Sequence, residues 1–238
     1  MSNFALESIG VIRTPYGQKF AVPRQPGLAH LAQCEIELFA PYCDPQAVIG
    51  LEGFSHIHVI FVFDQVEVDK FRPMIRPPRL GGNQKVGVFA SRSPFRPNRL
   101  GLSVLKLERI ENRHGKIVLH VLGADMVDGT PIVDIKPYIP FVEAIADARG
   151  GFASAPPALK EVCYEQVARH KVQELHLNGA LLSEILAQDP RPAYKGNEDD
   201  KPYFALLMGY NVKFKVTGNC VTVLDILPPE SIEADTFS

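Results

Sequence analysis

No stretch of this 238-residue sequence approaches the roughly 20 consecutive apolar residues that a membrane-spanning helix needs. The best candidate, His58 to Phe63, has the length of a strand. The amino terminus, Met1-Ser-Asn-Phe-Ala-Leu-Glu7, has no basic segment ahead of an apolar one, so no secretory signal and no membrane partner are expected. Cysteine is scarce. Cys34, Cys43, Cys163 and Cys220 form none of the close pairs that metal and redox motifs use. Free thiols in a reducing cytoplasm are the expectation, and neither Cys163 nor Cys220 has a base beside it to make it a nucleophile. Also missing are the Gly-x-Gly-x-x-Gly loop of dinucleotide folds, the Walker loop and a serine elbow. Net charge is only −2, so any argument for nucleic acid must rest on local clustering.

What is present reads mostly as strand. Ser8 to Arg13, Cys34 to Phe39, Val86 to Phe89 and Ile132 to Tyr138 are short, apolar or alternating segments. Ile57 to Phe63 is nearly all apolar and is expected to be buried on both faces. Leu102 to Glu111 and Lys116 to Gly123 flank Asn112-Arg-His-Gly115, which is hairpin chemistry. A short helix is expected near Pro45 to Leu51. No long helix interrupts these strands, which predicts a mainly β protein built on an antiparallel single-sheet β-barrel rather than βαβ units. Ala146 to Pro157 is small, flexible and proline-ended, and reads as a linker. It separates a barrel domain, residues 1–147, from a small α+β domain, residues 158–238. In the latter, Lys160 to Ala168 reads as a strand. His176 to Gln188 reads as a helix, with Asn178 as its cap and Leu177, Ala180, Leu181, Glu184, Ile185 and Gln188 along one side. Tyr203 to Thr217 and Cys220 to Leu227 read as a hairpin turning at Gly218-Asn219.

The charge pattern is uneven. Nine cations (Lys70, Arg72, Arg76, Arg79, Lys85, Arg92, Arg96, Arg99 and Lys106) share a window without one Asp or Glu. Five prolines and Gly81-Gly82 interleave with them, so the cations ride on shaped loops rather than on a helix face. Such loops suit a phosphodiester backbone or an anionic cofactor. The bland alternative is pairing with acids elsewhere, such as Glu67, Asp69 or Glu143. Metal signals are weak. His56 and His58 share a strand face without a third ligand, and turn chemistry explains Asp128-Gly129 as well as Mg²⁺ explains Asp125, Asp128 and Asp134; no metal is expected.

Several strings go further. Gly10-Val-Ile-Arg-Thr-Pro-Tyr16, Phe20-Ala-Val-Pro-Arg-Gln-Pro-Gly-Leu28, Arg76-Pro-Pro-Arg-Leu-Gly-Gly-Asn83, Val88-Phe-Ala-Ser-Arg-Ser-Pro-Phe-Arg-Pro-Asn98, Val127-Asp-Gly-Thr-Pro-Ile-Val-Asp-Ile-Lys-Pro-Tyr138 and Gln188-Asp-Pro-Arg-Pro-Ala-Tyr194 together resemble the TrmO (TsaA-like) family across nearly the whole chain. The resemblance implies a β-barrel tRNA methyltransferase that uses S-adenosylmethionine. Its substrate would be N6-threonylcarbamoyladenosine, 3′ to the anticodon of a threonine tRNA, methylated at N6 by a cytoplasmic homodimer. It implies cofactor contacts at Pro26, Gly27 and Leu28, at Asp64 and Gln65, at Arg92 and Leu102, and at Leu122, Gly123, Ala124 and Asp125. Arg92 would fork onto the methionine carboxylate, and Asp125 would accept from a ribose hydroxyl or the adenine amino group. Substrate contacts would come from Arg96, Arg99, Lys136, Arg191 and Tyr194. The sequence departs from the family in two places. Asn98-Arg-Leu-Gly101 stands where Asn-Pro-Ile-Gly is common, and Asp64 stands where a histidine precedes the glutamine. Asp125, Asp128 and Asp134 remain open as acceptors of the N6 proton, with Tyr138 as an orienting hydroxyl. A module that binds S-adenosylmethionine or RNA without catalysis is the competing reading.

Overall fold

The structure, a computed structural model, describes residues 4–67, 71–192 and 201–229. Six strands close a barrel in the order β1 (Gly10–Arg13), β2 (Gln33–Leu38), β7 (Lys116–Leu122), β6 (Leu100–Arg113), β3 (His56–Val62) and β8 (Pro131–Pro137). Every neighbouring pair is antiparallel, and β8 returns to β1 through Gly10↔Ile132. The barrel expectation holds. Strand β3 shows why these residues make a wall: Ile57, Val59 and Phe61 point inward and are buried, while His56, His58, Ile60 and Val62 keep some exposure. It is therefore covered on one face only, which corrects the expectation of burial on both. Fully covered side chains such as Ile12, Ile36, Ile57, Leu105 and Leu119 fill the interior, each contributing about 2 kcal/mol by removing apolar surface from water.

The β6–β7 hairpin turns where its chemistry says it should. Arg113 pairs with Lys116, so the loop is His114-Gly115. Both residues have positive φ, 55° and 82°, as a type I′ turn requires, and Asn112 Oδ1 accepts from Gly115 N at 2.9 Å. One close approach recurs below. Phe61 pairs with Gly101, and a Cβ on Gly101 would lie 2.2 Å from the Phe61 ring.

Outside the barrel, β4 (Met74–Ile75) and β5 (Val86–Gly87) form a small ribbon within the basic window. The expected helix near Pro45 is two 3₁₀ turns, Pro45–Val48 and Leu51–Gly53. A single helical turn, α1 (Pro140–Glu143), follows the barrel. The second unit is a four-stranded sheet in the order β10 (Tyr203–Leu207), β11 (Tyr210–Thr217), β12 (Cys220–Leu227), β9 (Glu161–Tyr164), packed with α2 (Gln166–Glu174) and α3 (Gly179–Leu186). Asn178 caps α3 as expected, accepting from Leu181 N at 3.0 Å. Two readings need correction. Lys160 to Ala168 is not one strand, because the chain leaves the sheet after Tyr164 and enters α2. Tyr203 to Thr217 is two strands broken at Met208-Gly209, both at positive φ.

The two units share one hydrophobic cluster. The long β1–β2 loop joins them: Tyr16 bridges to Leu207, Gly17 N donates to Leu206 O at 3.0 Å and Met208 N donates to Pro15 O at 2.7 Å. No described helix is long and apolar enough to cross a membrane.

Candidate cofactor and RNA site

Strand register brings most of the candidate residues together. The C-terminal ends of β1, β3 and β7 meet the starts of β2, β6 and β8 at one rim of the barrel, as Arg13↔Glu35, Gln33↔Leu122, Val62↔Leu100 and Phe61↔Ile132 show. Pro26 to Leu28 lie in the β1–β2 loop and Asp64 and Gln65 follow β3. Arg92, Arg96 and Arg99 lie in the connection into β6, and Leu122 to Asp125 end β7 and leave it. All of these therefore belong to the same rim.

Hydrogen bonds fasten that rim. Gly27 N donates to Gly123 O at 2.8 Å, and Gly123 N donates to Ala32 O at 3.0 Å. Gly27 and Gly123 have φ of 77° and 76°, and a Cβ on Gly123 would sit 3.1 Å from the Gly27 Cα. Two glycines let two backbones touch there, and the outer side of Gly27 stays open. Below them, Thr14 Oγ1 donates to Met126 O at 3.0 Å, and Asp128 Oδ1 accepts from Thr14 N at 2.9 Å.

Asp125 is the carboxylate inside this arrangement. Ser103, 2% exposed on the inner face of β6, donates to Asp125 Oδ1 at 2.6 Å. Burial pushes the Asp125 pKa up to about 6, against the opposing pull of the Ser103 hydrogen bond and the Arg92 charge. Arg92 is thus close enough to be felt by Asp125, and its Nη1 donates to Gln25 Oε1 at 2.6 Å. Ser103 and Gln25 were not singled out from the sequence. A serine alternating inward along a barrel strand was the available signal for the first.

The three acids do not converge. Asp128 serves Thr14 and lies 3.9 Å from Arg13, and Asp134 accepts from Ile135 N and lies 3.8 Å from Lys136. Lys136 pairs with His58, four residues along β8 from Ile132 and so about 13 Å below the rim. It is the one described substrate candidate on the barrel that the fold leaves away from the others. Tyr138 packs against His58, with ring centroids 5.5 Å apart. Leu102 is at the rim but 56% exposed and points outward, since its neighbours Gly101 and Ser103 are buried.

The basic window is largely free of acids in space as well. Arg96 donates to Ser91 O at 3.2 Å, Arg99 to Val66 O at 3.1 Å and Arg79 to Ala155 O. Among the described residues, its one ion pair joins Lys106 to Glu108 at 3.2 Å. Glu143, a possible partner for these arginines, instead meets His58 Nε2 at 2.8 Å. Arg99 has φ of 51° and its N–H donates to Arg96 O at 3.1 Å. A proline at this position could do neither, so the shape of this loop depends on Arg99. Phe71, Met74, Phe89 and Phe95 stand exposed among these cations, and Phe71 stacks on Phe89 at 6.3 Å. Arg191 is different. It is 3% exposed, with Nε and Nη2 at 2.8 and 2.9 Å from the Asp189 carboxylate. The expected tRNA contact is a buried strut. Tyr194 lies outside the described residues. Among the described residues, no group of three or more potential ligands is placed to hold a metal.

A closed antiparallel barrel with one stitched rim, a buried carboxylate within the field of an arginine, and an acid-poor basic ribbon beside it define a β-barrel protein with a candidate binding site at one end. Comparison with known proteins names the group. The model of the tRNA-methyltransferase O N-terminal domain matches residues 11–144, and that of the TrmO C-terminal domain matches residues 157–229. The chain is 48% identical to an Escherichia coli tRNA (adenine(37)-N6)-methyltransferase over 91% of its own length and 95% of the relative's. It is 42% identical to a putative S-adenosylmethionine-dependent methyltransferase of Pseudomonas aeruginosa over 93% and 97%. The crystal structure of TrmO from Pseudomonas aeruginosa superposes with a TM-score of 0.78 at 36% identity, over 94% of this chain and 98% of that one. This chain belongs to the tRNA-methyltransferase O family, and it is a tRNA adenine-N6 methyltransferase.

Proposed function

We propose that the protein binds S-adenosylmethionine at the stitched rim and methylates N6 of N6-threonylcarbamoyladenosine, at position 37 of a threonine tRNA. The observation that carries the cofactor site is the contact of the Gly27 and Gly123 backbones beside Asp125, a carboxylate within the field of the Arg92 charge. The residues present fit the group. Arg92 offers a planar fork for the amino-acid carboxylate once it lets go of Gln25. Ser103 holds Asp125 Oδ1, and Oδ2 accepts from a ribose hydroxyl or an amino group. The open side of Gly27, where a Cβ would meet nothing within 4 Å, admits a flat base edge-on. When bound, the cofactor supplies an already activated methyl, so the protein's task is positioning.

Arg96 and Arg99 border the same rim and suit the threonine carboxylate of the substrate. Arg72, Arg76 and Lys85, exposed beside Phe71 and Phe89, suit backbone phosphates and unstacked bases of the anticodon loop. Lys136 and Arg191 have no part in this reading, for the reasons of position and burial above. Asp64, Gln65 and the outward Leu102 belong to it through a homodimer in the cytoplasm, in which the exposed Leu102 side chain meets the second copy.

The test is methyl transfer from labelled S-adenosylmethionine to threonine tRNA with and without the threonylcarbamoyl group. Labelling of the modified tRNA alone is expected; equal labelling of both would overturn the substrate assignment. Calorimetry on Arg92→Ala is expected to show about 30-fold weaker cofactor binding with the fold intact, as loss of a charge-assisted contact predicts. Unchanged affinity would mean the cofactor sits elsewhere.

A further inference from the structure

The C-terminal unit grips the loop assigned above to the cofactor. Glu184, on α3, accepts from Leu31 N through Oε2 at 3.0 Å and pairs through Oε1 with His30. Gln188, one turn on, donates to Leu28 O at 3.1 Å while its own amide is held against Glu184 O at 3.2 Å. Beyond it, the Arg191 carbonyl accepts from Arg24 Nη2 at 3.1 Å. Asp189 clamps the buried Arg191 side chain, which fixes that carbonyl.

These contacts run in step. Residues 184, 188 and 191 lie along one side of α3 and its exit turn, and they meet residues 31 and 30, then 28, then 24. The other side of the same loop is fixed by Gly27 N to Gly123 O and by Gly123 N to Ala32 O. Loop backbone held from one side only would keep its freedom to turn away. Held from both, the Leu28 carbonyl has one orientation, and the Pro26–Leu28 peptide planes have little room to rotate.

We infer that Glu184 and Gln188 are positioning residues for the cofactor loop, so that the C-terminal unit acts on S-adenosylmethionine affinity through residues 24–31. This rests on the reading that Pro26 to Leu28 touch the cofactor. The unit need not touch the cofactor itself: it removes, before binding, motion that binding would otherwise have to freeze.

The experiment uses the full-length protein. Titrations with S-adenosylmethionine and, separately, with unmodified threonine tRNA are run on wild type, Glu184→Ala, Gln188→Ala, the double variant and Glu184→Gln. Thermal unfolding is recorded for each. The double variant is expected to bind S-adenosylmethionine about tenfold more weakly, as the loss of two to three hydrogen bonds predicts, while its tRNA affinity changes less than about twofold. Glu184→Gln keeps an acceptor for Leu31 N and is expected to recover most of the loss. A folded double variant with wild-type cofactor affinity overturns the inference. So does an equal loss of affinity for both ligands, and so does a Glu184→Gln variant as weak as Glu184→Ala. Arg92→Ala, run alongside, separates the two readings. If it binds the cofactor as wild type does, the cofactor site itself is misassigned; if it weakens binding while the α3 variants do not, only the clamp fails.

Discussion

Two sets of arginines in this molecule differ in what they face. Arg79, Arg96 and Arg99 donate to carbonyl oxygens. Arg113 and Arg191 face carboxylates: Arg113 forks onto Glu35 at 2.9 and 3.0 Å and reaches Glu111 at 3.1 Å, and Arg191 forks onto Asp189. A carbonyl shapes the loop and leaves the positive charge uncompensated, so it still projects toward a ligand. A carboxylate cancels it, leaving geometry but no field. The first set therefore keeps the charge that the proposed anion contacts need, and the second serves architecture.

The comparison breaks most visibly at Arg191. Arg191→Ala is expected to cost about 2 kcal/mol of stability, because it leaves the half-buried Asp189 carboxylate with the longer Lys160 contact at 3.8 Å in place of the Arg191 fork. Chemical denaturation measures this, and a stable variant with poor tRNA binding would move Arg191 into the other set. Comparable in size, the combined change Arg72→Ala, Arg76→Ala and Lys85→Ala is expected to weaken tRNA binding about 50-fold at moderate salt. It should also flatten the slope of log affinity against log salt by about 2. An unchanged slope would show that the exposed cations do not meet phosphates.

How far the sequence itself carried this distinction depends on the element. The acid-free window was plain in one dimension, and it stayed nearly acid-free in three because the barrel sends its acids elsewhere: Glu143 to His58, Glu35 and Glu111 to Arg113. Strands such as β2 and β3 were legible because each has one inward face at period two, and β7 because its run is mostly apolar. Helix α2 was not. Only Ala168 of its nine residues is buried, and its leading Glu165 makes no side-chain cap, so neither periodicity nor a start signal marks it. Arg191 was misread because nothing in Asp189-Pro-Arg-Pro announces that the chain buries its arginine against its own aspartate two residues back. The rim could be named only by resemblance, since Gly27 and Gly123 are 96 positions apart and meet through strand register.

A smaller effect sharpens the comparison from the acid's side. Asp125 has a raised pKa of about 6, so folding favours its neutral form. That contribution is fully present below the unfolded value near 4 and is lost as pH rises through 6. Asp125→Asn is therefore expected to gain about 1 to 2 kcal/mol relative to wild type between pH 4 and pH 8, by denaturation at both values. In wild type, cofactor affinity is expected to fall as pH drops below 6, when Asp125 loses the charge that complements a donor. A flat profile from pH 5 to 8 would remove Asp125 from the site. The smallest effect is at the exposed network. Glu111 is held down to about 2 by Arg113 and then His120. Its contribution is present above the ordinary carboxylate range and is lost as pH falls toward 2. Arg113→Ala should thus lower the melting temperature slightly at pH 7 and not at pH 2, without altering methylation.

Gly101 and Phe61 have a consequence for how this barrel can vary. The ring lies where any side chain on residue 101 would have to go, so the two positions behave as a single occupant of that level of the interior. Neither can be exchanged freely alone: alanine at 101 meets the ring, and a smaller residue at 61 leaves a hole two residues along β6 from Ser103. Compensated pairs, a small residue at 61 with a larger one at 101, offer a route to reshape the space beneath the rim while the hydrogen-bonded wall keeps its register.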